Sequence, residues 1–219
     1  MIKYFAPLLL LASTSAYAQD TASSATKTSL TIGGMATDHG NASLTFDGEV
    51  ATQKGRWQGV YDLDASYQQA KNVVTLDMIS GEAKQNYALD ARDYLIGDVR
   101  YDYNEFRPWK NTGVISAGYG YKLVRTGNIK ISNELTTGIR ITDDGKYAVL
   151  RDSVWISYNK GPFTAVNKFL IEKSNINYYR NQSVVSYALT PVLSVGVQNM
   201  YTRDVKENNV TSFTLGLKL

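Results

Sequence analysis

Hydrophobic and polar residues alternate along residues 129–141, and this stretch shows the plan that the rest of the chain follows. One parity is apolar except at two positions, and the other carries polar, small and charged side chains. Successive side chains of a strand point to opposite faces. The pattern therefore predicts a strand with one apolar face, made of Ile129, Ile131, Leu135, Ile139 and Ile141 and interrupted by Asn133 and Thr137.

The stretch before it repeats the alternation and forms the other half of a hairpin. Ile115, Ala117, Tyr119, Tyr121 and Leu123 alternate with small or polar residues, and residues 125–128 between the stretches offer Gly and Asn for a turn with positive φ. Both runs exceed the roughly 5–6 residues usual for strands of globular proteins. A tilted strand needs about 9–11 residues to cross the hydrocarbon layer. The hairpin is therefore long enough to cross a membrane.

The same alternation recurs to the end of the chain and predicts about twelve strands, with ten as the alternative. The region 68–103 decides the count. It has a long connection over 68–84, whose middle at 73–79 can extend the flanking strands beyond the bilayer, and a short strand near Tyr87. Lipid offers no hydrogen-bond partner, so a sheet in a membrane must close on itself. We therefore predict an all-β fold, a transmembrane antiparallel β-barrel closed by the C-terminal strand. A soluble β-sandwich is the alternative.

The first residues predict export. Lys3 precedes an apolar run over residues 4–12, and Ala16-Tyr17-Ala18 has the form of a cleavage site. The apolar run is far shorter than the about 20 residues of a membrane-spanning helix. We predict a signal peptide at 1–18, a small polar periplasmic tail at 19–27 and an outer-membrane β-barrel at 28–219.

Composition argues against several classes of function. The chain has 23 basic and 20 acidic residues, and its basic residues form no cluster with stacking aromatics, so we expect no nucleic-acid partner. It has no cysteine and one histidine, His39, in a predicted turn. A catalytic His must be held beside a nucleophile by a third group. We expect no enzyme activity, no catalytic or metal site and no cofactor. An outer-membrane hydrolase is the least favoured alternative.

Charged residues on the polar parity must share the barrel interior, because a charge that faces acyl chains is costly. Opposite signs in a bore this narrow pair with each other, which predicts a narrow, charge-paired lumen. The alternative is a channel for small solutes or acidic oligosaccharides, although an acidic solute would favour a wall of one basic sign. The predicted lumen-lining residues are Asp98, Arg100, Asp102, Lys122, Lys130, Glu134, Arg140 and Arg151.

Residues 94–97, together with the Gly-Tyr-Gly pattern at 118–120, resemble the YdiY-like salt-induced outer-membrane protein family, which is defined largely as a domain of unknown function. The turn at 39–41 and the ending at 212–219 support the resemblance. The resemblance implies an outer-membrane barrel of a Gram-negative bacterium and osmotic induction. It transfers no catalytic residue.

The expected partners follow from a barrel that is exported and inserted. The alternating C-terminal strand is similar to the assembly signal of outer-membrane proteins. We therefore expect contact with the barrel-assembly machinery and periplasmic chaperones during biogenesis, and with outer-membrane lipid afterwards. We expect the inserted barrel to be a monomer.

Overall fold

The computed structural model describes residues 24–37, 41–71, 73–107, 109–204 and 207–218, and these residues form twelve antiparallel strands. The strands are β1 Ser24–Thr37, β2 Asn41–Lys54, β3 Trp57–Ala70, β4 Val73–Ala88, β5 Asp93–Asn104, β6 Asn111–Arg125, β7 Ile129–Thr142, β8 Gly145–Lys160, β9 Phe163–Lys173, β10 Tyr178–Ala188, β11 Leu193–Arg203 and β12 Glu207–Lys218.

Every strand pairs with its neighbours in sequence, and β12 pairs with β1 to close the barrel. The prediction of a closed antiparallel barrel with twelve strands is confirmed, and the ten-strand alternative is wrong. The closing seam is short. It has six registered pairs, from Ser29 with Lys218 to Gly34 with Phe213, whereas β1 and β2 share fourteen. Within the described ranges, no helix is long and apolar enough to cross a membrane.

The barrel has a polar interior and an apolar exterior. The strands have 11 to 16 residues, enough to cross the hydrocarbon layer when tilted. In β5, Leu95 and Val99 point outward and are about half exposed, while Asp98, Arg100 and Asp102 point inward and are buried. We call the end where β1 begins and β12 ends the periplasmic end, and the opposite end the outer end.

The predicted long connection at 68–84 is wrong. β3 continues to Ala70, β4 begins at Val73, and Lys71 in the tight connection adopts a φ of 50°. The predicted short strand near Tyr87 is the last part of β4. A register shift between Gln68 and Gln69 breaks the two-residue period on which the sequence prediction depended. Met78 also points inward and is buried, so both faces carry apolar side chains near the outer end.

The first strand begins earlier than the sequence predicted. Residues 24–27, assigned to the periplasmic tail, pair with the end of β2 from Ser24 with Lys54 onward. Backbone pairing beyond the bilayer needs no apolar side chain, so the hydropathy pattern could not mark this boundary. The predicted signal peptide (1–18) and His39 lie outside the described residues.

The periplasmic turns differ in how they reverse the chain. Gly55 and Gly161 each open a two-residue turn with a φ of 58°, which glycine adopts without steric cost. The turn after β6 was expected to use positive φ at Gly127 and Asn128. Neither residue has it, and the turn is closed by a hydrogen bond from Thr126 N–H to the Ile129 carbonyl (2.9 Å).

A side chain organises the turn between β4 and β5. The Asp90 carboxylate accepts hydrogen bonds from the backbone N–H groups of Asp93 (2.8 Å) and Arg92 (2.7 Å). These two bonds stabilise the charged form, so they hold the pKa of the exposed Asp90 carboxyl below its ordinary value. Asp90 and Arg92 therefore belong to the turn rather than to the lumen.

Glycines let β6 and β7 coil closely around the lumen. A Cβ at Gly118 would lie 2.0 Å from the Leu135 carbonyl oxygen, and one at Gly138 would lie 2.0 Å from that of Ile115. The inward space at Gly120 is filled by the Tyr94 ring, whose Cζ would lie 2.2 Å from an added Cβ. Small residues on this face therefore leave room for large neighbours inside the barrel.

Replacing Leu135 with arginine should impair insertion. Leu135 points outward, is 51% exposed and is near the middle of β7. An arginine on the lipid face near mid-bilayer costs about 2–4 kcal/mol. The measurement is the folded fraction after insertion into lipid vesicles, read from heat-dependent migration on gels.

Trp155→Arg is the matched control, because Trp155 faces the lumen and is 38% exposed there. The neighbouring Thr136 is only 3% exposed and too closely packed to accept an arginine. Equal losses for Leu135→Arg and Trp155→Arg would contradict the assignment of the two faces.

Candidate functional site in the lumen

Charged side chains from five strands meet on the inner wall towards the outer end of the barrel. Each occupies the inward parity of its strand, so the alternation that covers the outside with apolar residues also gathers these charges inside. We call this group the outer cluster. It consists of Glu82 from β4, Asp98, Arg100 and Asp102 from β5, Arg140 from β7, Arg151 from β8 and Glu172 from β9.

Glu172 is the centre of the outer cluster. Its side chain has no exposed surface. Its Oε2 accepts hydrogen bonds from Arg100 Nη2 (2.9 Å) and Arg151 Nε (3.4 Å), and its Oε1 accepts one from Arg140 Nη2. A single carboxylate thus binds guanidinium groups from three other strands. Such charge-assisted hydrogen bonds are roughly twice as strong as neutral ones.

The other carboxylates of the outer cluster complete the pairing. Asp102 accepts from Arg100 Nε (2.9 Å) and, through its other oxygen, from the Ser80 hydroxyl (2.6 Å). Arg151 Nη1 donates to Asp98 (2.7 Å) and Glu82 (3.2 Å). Charges of opposite sign therefore interleave, with each arginine in contact with two or more acceptors.

Aromatic and loop residues cover the outer cluster on its outer side. The Tyr178 ring, 8% exposed, lies 5.6 Å from the guanidinium carbon of Arg100 and 5.1 Å from that of Arg107. Arg107 also pairs with Asp204 from the loop after β11. The cavity left between these residues and Trp109 is about 30 Å³, room for one or two water molecules. Little space therefore remains between these described residues.

A second set of contacts crosses the lumen between nearly opposite walls. Arg180 on β10 donates to Asp64 on β3 (3.2 Å), and the Lys168 ammonium on β9 lies 3.7 Å from Glu49 on β2. The Lys168 and Glu49 side chains are 43% and 36% exposed, so this pair is more open to water than the outer cluster. We call these contacts the cross-lumen pairs. They tie β2 and β3 to β9 and β10.

A third contact lies between β4 and β7. Lys84 Nζ donates to both carboxylate oxygens of Glu134, at 3.1 and 3.0 Å, and the Tyr94 hydroxyl donates to the same carboxylate (3.0 Å). The Lys122 ammonium lies 5.4 Å from the centre of the Tyr94 ring, within cation–π range. Glu134 therefore belongs to a contact separate from the outer cluster.

The structure brings together five of the eight residues predicted to line the lumen: Asp98, Arg100, Asp102, Arg140 and Arg151 are all buried in the outer cluster. The other three lie elsewhere. Glu134 and Lys122 surround Tyr94, and Lys130 is exposed near the periplasmic end, in register with Ser157.

Sequence reasoning missed the central residue, Glu172. The adjacent Phe169 and Leu170 obscured the phase of β9. The turn between β8 and β9 could have revealed Glu172. A two-residue turn at Gly161 and Pro162 sets the register of the two strands, and this register pairs Glu172 with Arg151. Glu82 and Lys84 were missed because they fell within the predicted connection.

The described part of the lumen has no evident place for a metal ion. No group of three or more His, Asp or Glu residues in the described ranges is placed to hold one. The most buried carboxylates are instead bound by arginine side chains.

Comparison with known proteins gives a family and a fold. Residues 34–179 match the family described as "Protein of unknown function, DUF481", in agreement with the resemblance drawn from the sequence. No curated protein sequence matches the chain. Among solved structures, the NanC porin superposes with a TM-score of 0.53 at 12% identity, over 88% of this chain and 98% of that porin. The KdgM porin has a TM-score of 0.50 at 10% identity, over 87% and 97%. At these identities the likeness shows the fold alone.

Glu172→Gln should destabilise the folded barrel. The substitution removes the charge that Arg100, Arg140 and Arg151 share. It leaves the buried Arg140 guanidinium without its carboxylate, while Arg100 keeps Asp102 and Arg151 keeps Asp98 and Glu82. Breaking a buried ion pair from one side costs about 3–5 kcal/mol. The measurement is the free energy of unfolding in urea for the barrel in lipid vesicles.

Glu207→Gln is the control. Glu207 pairs with Arg203 at the outer rim, where both side chains are more than half exposed, so its loss should cost less than about 1 kcal/mol. A Glu172→Gln barrel as stable as the Glu207→Gln barrel would contradict the central role of Glu172.

Proposed function

We infer a function from the lumen itself, because the chain belongs to the DUF481 family, whose members are proteins of unknown function. The fold is that of porin-like outer-membrane β-barrels. We propose a structural, stress-related outer-membrane barrel of the salt-induced YdiY-like type, whose lumen is closed by paired charges. One observation carries this proposal: the fully buried Glu172 joins Arg100, Arg140 and Arg151 inside the barrel.

Paired charges favour closure over conduction at the outer cluster. A conducting pore needs a hydrated path with sites that bind ions weakly enough to release them. In the outer cluster the groups are desolvated and bind each other, and opening a path would separate buried opposite charges at a cost of several kcal/mol. The cross-lumen pairs add stiffness, since they join strands that share no backbone hydrogen bonds.

The burial of the ion pairs in the outer cluster makes them less sensitive to salt than exposed pairs. Dissolved ions screen exposed pairs strongly and buried pairs much less. The Arg203–Glu207 pair at the rim is therefore weakened when salt rises, while the contacts of Glu172 persist. A barrel closed by buried pairs keeps its barrier at high ionic strength, which supports a role in salt stress.

A gated channel for small solutes is the second candidate function. The inner wall is more open to water near the cross-lumen pairs, where Trp155, Lys168 and Glu49 are each more than a third exposed. Acidic oligosaccharides are disfavoured as solutes, because Asp47, Glu49, Asp62 and Asp64 give β2 and β3 an acidic inner face. We propose no catalytic activity.

We also propose a route by which the protein reaches the outer membrane. We propose that a signal peptide at 1–18 is cleaved and that periplasmic chaperones and the barrel-assembly machinery deliver the barrel to the outer membrane. The support for this is the sequence of the first eighteen residues together with the barrel fold.

The unmodified protein should show little or no conductance in a planar lipid bilayer. Arg140→Ser combined with Glu172→Ser removes two members of the outer cluster without changing the net charge, and should produce discrete conductance steps. Arg140→Ser with Glu134→Ser should also raise the conductance, although less directly, because Glu134 lies outside the outer cluster.

The matched control is Arg203→Ser with Glu207→Ser, an equal change of charge at the exposed rim, which should leave the conductance unchanged. Large conductance in the unmodified protein would overturn the closed lumen and favour the channel.

Loss of the protein should slow growth at elevated salt more than at low salt. The physical reason is that the closed barrel adds stiffness to the membrane without adding a leak. Growth is measured for a deletion strain that carries the unmodified gene, the Arg140→Ser/Glu172→Ser variant or the rim control. Rescue by the first and third, but not the second, is expected. Equal growth of all strains at high salt would reject the stress role.

A further inference from the structure

The outer surface of the barrel has two chemically different halves. Central outward positions of β1 to β6 are apolar, as at Ile32, Leu63, Val99 and Ile115. The outward side chains of β7 to β12 include eight polar ones in two groups, which together we call the polar belt. The group on β7 and β8 is separate from the group on β9 to β12, because Asp152 is in register with Ile171 and Asn167 with Ile156. The polar belt consists of Asn133, Asp152, Asn167, Asn181, Ser183, Asn199, Asn209 and Thr211.

Strand register places the polar belt on the outside of the barrel. Ser183 is paired with both Asn167 and Asn199, and Asn199 is paired with Thr211, so these side chains share one face. Two residues further along β10 on the same face, Val185 is 45% exposed. Ser183 is the central residue of β10. We therefore expect the part of the belt around Ser183 to lie at the depth of the hydrocarbon layer.

Hydrogen bonds join belt residues of neighbouring strands in pairs, β9 with β10 and β11 with β12. Asn167 Nδ2 donates to Asn181 Oδ1 (2.6 Å) and to Ser183 Oγ (2.9 Å). Asn199 repeats this geometry, donating to Asn209 Oδ1 (2.7 Å) and Thr211 Oγ1 (2.8 Å).

The belt also includes a charged residue. Asn133 Nδ2 donates to Asp152 Oδ1 (2.6 Å), and Asp152 is one of the two central residues of β8. An ionisable side chain on the lipid face at this depth is costly, because lipid supplies neither charge nor hydrogen bonds.

In each of two hydrogen-bonded asparagine pairs, Asn167–Asn181 and Asn199–Asn209, one polar atom of each side chain has no partner among the described residues. The Oδ1 atoms of Asn167 and Asn199 accept no hydrogen bond from any described residue. The Nδ2 atoms of Asn181 and Asn209 donate none to the described part of the chain. The belt thus presents both donors and acceptors to its surroundings, and acyl chains can satisfy neither.

We propose that the polar belt is the contact surface between two copies of this chain within the membrane. A carboxamide both donates and accepts, so a surface built from asparagines is complementary to itself. A two-fold axis along the membrane normal brings the belts of two copies together at equal depth, as an isologous interface requires. This inference is independent of whether the lumen conducts.

The centre of the belt is the expected position of the axis. The belt extends from β7 to β12, so its middle lies at β9 and β10. The outward side chains there include Ala165 and Ser183, which are small enough to let two barrels approach closely. The sequence predicted a monomer, because the register that brings Ser183, Asn199 and Thr211 side by side was not visible in it.

Disulfide formation tests the interface directly, because the chain has no cysteine of its own. Ser183→Cys and Asn199→Cys are made separately, and outer membranes from the producing cells are treated with a mild oxidant. Ser183→Cys, nearest the proposed axis, should give a covalent product of twice the mass of the chain. Ile115→Cys, at the centre of the apolar half, is the matched control and should stay monomeric.

Heat-dependent migration on gels confirms that each variant is a folded barrel. Absence of a covalent dimer from both folded belt variants, or equal dimer from Ile115→Cys, overturns the proposal. A product whose mass is not twice that of the chain assigns the belt to a different membrane protein and also overturns it.

Removing the amides provides a second measurement on the protein in mild detergent. Asn181→Leu combined with Asn199→Leu should convert the sedimenting species from dimer to monomer while the barrel stays folded. Ile115→Ala with Val99→Ala, on the apolar half, should leave the dimer intact. A monomeric unmodified protein, or a dimer unaffected by loss of the amides, overturns the proposal.

Discussion

The constraint on which this structure depends is that lipid cannot hydrogen-bond to a peptide group. Closure of β12 onto β1 pairs these two edge strands over residues 29–34 and 213–218. Once the sheet is closed, the alternation of side chains sends one parity to lipid and the other into a confined interior. Towards the outer end of this barrel, seven charged side chains share a space from which water is largely excluded. Closing the sheet thus also explains the contacts of Glu172 with its three arginines, because these charges neutralise each other where little water is present.

Polar side chains on the two faces of the barrel find hydrogen-bond partners in different ways. Inside the barrel, polar groups find partners across the bore, as Arg180 does with Asp64. On the outside, Asn167 and Asn199 find partners only along the sheet, and one side of each amide remains open. The interior charges are therefore paired within one chain, whereas our proposal is that a second copy supplies partners for the exterior of β7 to β12.

The architecture was predictable from sequence wherever the two-residue period was unbroken. The hairpin of β6 and β7 and the inward position of Arg140 followed from alternation alone. The period did not predict the start of β4, because its register with β3 shifts between Gln68 and Gln69. It also did not predict which side chains of β9 point inward, because Phe169 and Leu170 are adjacent. Alternation also says which side chains are inside but not which of them meet. Contacts such as Arg100 with Glu172 depend on strand tilt and on the course of the whole barrel, which no local pattern encodes.

The short seam between β1 and β12 has a consequence for the order in which the chain folds. Every other ladder joins strands that are neighbours in sequence and can form early, because little chain entropy is lost in closing a hairpin. The seam joins the two ends of the barrel and has six registered pairs among the described residues, so its closure loses the most chain entropy for the fewest pairs. We therefore expect closure to be the last step, preceded by an open sheet with two unpaired edges.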